Sequence, residues 1–71
     1  MDKVKKEMTT KEMISRLLKL EIRREEIAYH AETSVTSIYR WGKGQKAHSI
    51  FAKKIATLLQ EVEARVAKEV K

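Results

Sequence analysis

The segment Arg24-Glu25-Glu26-Ile27-Ala28-Tyr29-His30-Ala31-Glu32-Thr33-Ser34-Val35-Thr36-Ser37-Ile38-Tyr39-Arg40-Trp41 decides how this chain folds. Residues 24–31 read as one short helix. Glu25 and Glu26 stand in its first turn, where the helix dipole favours negative charge, and Ile27, Ala28 and Ala31 share an apolar side. Thr33 and Ser34 then offer a hydroxyl cap to a second short helix from Val35 to Trp41, with Ile38 and Trp41 three apart on one face. Two helices joined by so tight a turn cross steeply only where the inner face is small and apolar. Ala28 supplies the small residue, so a larger side chain there is expected to push the helices apart.

Upstream, Thr9 or Thr10 can cap a first helix over about residues 10–20, with Glu12 in capping-box spacing from Thr9 and Met13, Ile14, Leu17 and Leu18 on one face. Downstream, Gly42 and Gly44 end the motif. Ser49 is the expected cap of a long final helix in which Phe51, Ile55, Leu58, Leu59, Val62, Val66 and Val70 recur every three or four residues. The fold expected is all-α, with four or five helices. Residues 1–8 read as a flexible basic arm, 9–60 as the domain and 61–71 as a helical extension.

Composition agrees with that architecture. The chain has 71 residues, of which 42% are hydrophobic, with two Gly and no Pro, which favours helices joined by short connections. A second lobe that closes over a substrate is not expected in so short a chain. With no Cys and with His30 and His48 far apart, neither disulfides nor a metal site are expected to hold it together. No Ser, His and acid grouping suggests catalysis, so the expectation is a non-enzyme with no cofactor and no small-molecule substrate. No apolar run is long enough for a membrane span or a signal peptide, so a cytoplasmic protein is expected.

The placement of charge says more than its sum of +6. Residues 1–32 carry eight basic and seven acidic side chains and residues 61–71 three of each, whereas residues 33–60 carry five basic and none acidic. A stretch without carboxylates suits the phosphates of a polyanion, because each Lys or Arg there displaces condensed counterions with no local repulsion. The alternative is a solvated basic face. Within this stretch Ser34, Val35, Thr36 and Ser37, with Arg40 one turn on, line the outward side of the second motif helix. Hydroxyls, a branched methyl and a guanidinium suit the edges of base pairs in a major groove.

At Ile27, Ala28, Ser34, Ile38 and Trp41, and beyond the motif at Gly44 and Ile55-Ala56-Thr57-Leu58-Leu59, the chain resembles the phage Cro and repressor type of helix-turn-helix, the lambda-repressor-like family. The resemblance covers about residues 10–60. It implies a sequence-specific transcriptional regulator of double-stranded DNA, most simply a repressor, bacterial or phage-encoded and nucleoid-associated. By position it implies that Arg24 holds a phosphate, that Ser34, Val35, Thr36, Ser37 and Arg40 face the groove, and that Lys43 and Lys46 flank the backbone.

The chain departs from the pattern at Glu32, where the family usually has Gly at a turn position that often takes a positive φ, and it lacks the usual Pro after the loop. A DNA-binding subunit of a recombinase, transposase or toxin-antitoxin complex would share the motif. A helical protein-interaction module would share only its basic face.

Trp41 is expected in the core, Tyr29 and Tyr39 partly buried or at the motif edge, and the two His at the surface or in caps. Val62, Val66 and Val70 extend an apolar stripe past the compact domain, and a homodimer through that stripe is expected.

Overall fold

A computed structural model describes residues 8–69 of the chain. The expectations for the arm before Met8 and for Val70 therefore lie outside the described residues. Four helices follow one another with no strand among them: α1 (Thr10–Lys19), α2 (Arg24–Ala31), α3 (Val35–Gly42) and α4 (Ser49–Glu69). The fold is all-α.

Three of the four helices start where a side chain satisfies an unpaired N–H of the first turn, whereas α2 follows Arg23 with no side-chain cap. At α1 the Thr9 hydroxyl accepts from the Glu12 N–H at 3.1 Å and the Glu12 carboxylate accepts from the Thr9 N–H at 3.0 Å, a complete capping box. Ser34 caps α3 by accepting the Ser37 N–H at 3.2 Å. The start of α4 differs from expectation. The cap is His48, not Ser49: its Nδ1 accepts the Ile50 N–H at 3.2 Å and its carbonyl accepts from Ala52 at 3.0 Å. The imidazole nitrogen takes the place of the usual hydroxyl or carboxylate oxygen.

The first three helices end by one device. Shortly past each helix one residue turns left-handed, and the residue after it donates its N–H to a carbonyl five positions back. These bonds run from Ile22 to Leu17 at 3.0 Å, from Thr33 to Ala28 at 3.0 Å and from Gln45 to Arg40 at 3.2 Å. The left-handed residues are Glu21 (φ 69°), Glu32 (φ 59°) and Gly44 (φ 118°). Only the third is a glycine. A non-glycine residue in this region costs about 1 kcal/mol, so two of the three turns are held against local preference by the packing around them.

That packing is one core. It gathers Met13, Ile14 and Leu17 from α1, Ile27, Ala28 and Ala31 from α2, Ile38 and Trp41 from α3, and Ile55, Leu58, Leu59 and Val62 from α4. α1 and α2 each pack against both α3 and α4. No polar or charged side chain is buried among the described residues, so burial of apolar surface carries the stability. Trp41 lies in the core as expected, its ring 5.3 Å from that of Phe51.

The end of α4 corrects one expectation. Val62 is only 4% exposed and belongs to the core, and the next residue, Glu63, pairs with Arg16 of α1 at 2.9 Å. The helix is therefore covered by α1 past residue 60. Of the expected seam only Val66, 38% exposed, stands outward among the described residues.

Candidate nucleic-acid interface

Burial of Ile38 and Trp41 fixes the rotation of α3 about its own axis. Residues one and two positions away from that stripe then have to face outward. Val35, Thr36, Tyr39, Arg40 and Lys43 are exposed, and Ser34 precedes them at the exposed N-cap. Ser37 is half-buried. The turn that carries α3 is three residues long, Glu32, Thr33 and Ser34, and Ala28 is buried where α2 packs against α3.

The two serines are engaged with each other. The Ser34 hydroxyl donates to the Ser37 hydroxyl at 3.2 Å while accepting the Ser37 N–H. Ser34 is thus first a cap, and Ser37 its partner, which leaves Val35, Thr36 and Arg40 as the side chains of this group with no such tie. Val35 is an exposed β-branched residue between Ser34 and Thr36, a methyl surface open to solvent.

The flanking cations fall in two places. Arg24, at the first turn of α2, and Lys43, just past α3, meet over one ring: the Arg24 Cζ lies 5.7 Å and the Lys43 Nζ 4.8 Å from the centroid of Tyr39. Lys46 lies in the loop before α4 and borders a shallow groove together with Thr9, Thr10 and Lys11 at the start of α1. Arg24, Arg40, Lys43 and Lys46 are all exposed. Among the described residues none of them is joined to a carboxylate in an ion pair.

Glu32 stands at the rim of this surface and is tied elsewhere. Its carboxylate meets the Lys54 ammonium of α4 at 2.7 Å. The hydrogen bond and the charge of Lys54 hold the Glu32 carboxyl below its ordinary range. The positive φ considered for this position is present, with φ 59° and ψ 47°.

Two participants escaped the sequence reading. Tyr39 is expected from sequence to be partly buried or at the motif edge, with phosphate bonding by its hydroxyl the lesser alternative, and not to gather cations, although its spacing of four from Lys43 places the two on one helix face; its contact with Arg24 is tertiary and has no sequence signal. Lys54 appeared only as one of five cations. Tyr29 departs from expectation in the other direction: it is 80% exposed, its ring set edge-on to that of His30 at 5.6 Å. No grouping of three or more His, Cys, Asp or Glu side chains suited to a metal occurs among the described residues. No helix among them is long and apolar enough to cross a membrane.

Comparison with protein families, with curated proteins and with solved structures finds no match for this chain.

Proposed function

We propose that this protein binds double-stranded DNA, with α3 entering the major groove and α2 lying across the backbone. The observation that carries the reading is the outward face of α3. It presents Val35, Thr36 and Arg40 without a carboxylate, and it is bordered by the exposed cations Arg24, Lys43 and Lys46. Arg40 is the base reader in this reading, because a guanidinium bonds the two acceptors of guanine bidentately, and the Val35 and Thr36 methyls pack on thymine. Arg24, Lys43 and Lys46 take backbone phosphates, which position the protein without reading sequence.

The biological role that follows is a non-enzymatic transcriptional regulator of the Cro and repressor type, acting as a repressor by occupying its operator. A homodimer belongs to the proposal. Val66 remains exposed on a helix that continues past the core, which offers a second copy a contact and lets two α3 helices address half-sites one helical turn apart.

Titration of a random duplex at rising salt tests the first step. Three phosphate-facing cations per protomer give a slope of roughly −3 in log affinity against log salt for each protomer bound. Binding that is absent, or that does not respond to salt, rejects the reading and favours a surface for a protein partner.

A further inference from the structure

We infer that Tyr39 is a positioning residue of the DNA interface, whose ring gathers Arg24 and Lys43 into one phosphate-binding unit. The inference rests on the DNA-binding reading and adds to it the reason why two cations from different helices act together. Arg24 belongs to the first turn of α2 and Lys43 lies just past the end of α3, so nothing in the local chain holds one near the other. Both nevertheless come within 6 Å of the same aromatic centroid, at 5.7 and 4.8 Å, where the negative face of the ring attracts cations.

Long basic side chains on a surface ordinarily sample many rotamers, and ordering each one on a ligand costs free energy. A ring that already attracts both lowers that cost before the phosphate arrives. Tyr39 suits the task because it is half exposed: it lines one groove together with Ile14, Leu18, Gly42 and both cations, and its ring stays within reach of the two. The electrostatics are consistent with ligand capture, since no Asp or Glu among the described residues lines this groove to neutralise the pair. The ring draws the cations together without cancelling their charge, as a carboxylate in its place would.

The active property is then the π face and not the phenol hydroxyl, which separates three variants. Tyr39→Phe keeps the face, whereas Tyr39→Leu keeps apolar bulk without it, and Arg24→Ala removes one of the cations. In the unbound protein, ring-current shifts on the Arg24 and Lys43 side-chain resonances report the contact directly. They are expected in the wild type and in Tyr39→Phe and absent from Tyr39→Leu, with thermal unfolding confirming that all are folded.

On duplex DNA, Tyr39→Leu is expected to weaken binding about threefold to tenfold on specific and random sequence alike, while Tyr39→Phe binds as the wild type does. Arg24→Ala is expected to cost less in the Leu background than in the wild type, because the cation there has already lost its support. A folded Tyr39→Leu that binds DNA with unchanged affinity and salt slope overturns the inference and leaves the DNA reading standing. So does a Tyr39→Phe as weak as Tyr39→Leu, which would assign the effect to the hydroxyl. A wild type that binds no duplex overturns the DNA reading itself, and the inference falls with it.

Discussion

The Glu32 carboxylate meets the Lys54 ammonium at 2.7 Å, so the turn between α2 and α3 is fastened to α4 through its left-handed residue. The pair is largely exposed, with 75% of the Glu32 side chain and 36% of the Lys54 side chain open to solvent, so it adds little to stability at moderate salt. Its effect is on charge. A carboxylate at the edge of a basic surface repels phosphate, and Lys54 offsets that repulsion.

The first prediction follows from the direction of the Glu32 titration. Its carboxyl is held below the ordinary range by Lys54, so its contribution to stability is present above that range and is lost as pH falls through the lowered folded value. Acid unfolding of the wild type is therefore expected to start from a small advantage over Glu32→Gln at neutral pH, and the two curves converge below the ordinary carboxylate range. The check is chemical denaturation of both proteins across that range; a gap that stays constant to the lowest pH contradicts it.

The second prediction compares two left-handed glutamates. Glu21→Gly relieves backbone strain and removes no ion pair among the described residues, so it is expected to stabilise the protein by about 0.5 to 1 kcal/mol. Glu32→Gly relieves the same strain but loses Lys54, so its gain in stability is expected to be smaller. It is also expected to tighten DNA binding, because a negative charge leaves the interface and Lys54 is released toward phosphate. Paired melts and DNA titrations decide the matter. Weaker DNA binding by a folded Glu32→Gly would mean that the carboxylate makes a contact of its own.

How much could be read from the chain follows from the range of each interaction. The limits of α2 and the start of α3, the Thr9 and Glu12 cap, and the inward faces of Ala28, Ile38 and Trp41 are set by neighbours within four positions, and the sequence carries them openly. The turn at Glu21 was not visible, since a glutamate gives no local sign of positive φ and only the seating of Ile22 beside Leu17 demands it. Likewise, His48 and Ser49 are both plausible caps by position, and in the fold the imidazole takes the bond from Ile50. Val62 misled for a related reason. Helical spacing shows which side of α4 is apolar but not how far α1 reaches along it.

The third prediction turns on that correction. Val62→Ala is expected to cost about 2 kcal/mol through lost burial and a residual cavity, whereas Val66→Ala is expected to leave monomer stability within about 0.5 kcal/mol. A chain ending at Gln60 loses Val62 and the Glu63 partner of Arg16 and is expected to be markedly less stable. A chain ending at Arg65 keeps both and loses Val66, so it is expected to stay folded and to sediment as a monomer where the full chain dimerises. A full chain that remains monomeric at every concentration removes the dimer from the account.

The fourth prediction separates positioning from reading. Lys43→Ala and Lys46→Ala are each expected to weaken specific and random duplexes alike and to flatten the salt slope by roughly one unit. An unchanged slope for either variant places that lysine outside the interface.

The central claim is that α3 reads base sequence through Arg40, and selection of bound sites from a random duplex library tests it most directly, run in parallel with wild type and Arg40→Ala. The account predicts that the wild type enriches a defined site, two-fold symmetric if the dimer forms. It predicts that Arg40→Ala loses about 1 to 3 kcal/mol on that site and relaxes preference at one base pair of each half. A wild-type pool no different from the starting library, or an Arg40→Ala pool with the wild-type motif intact, would contradict it.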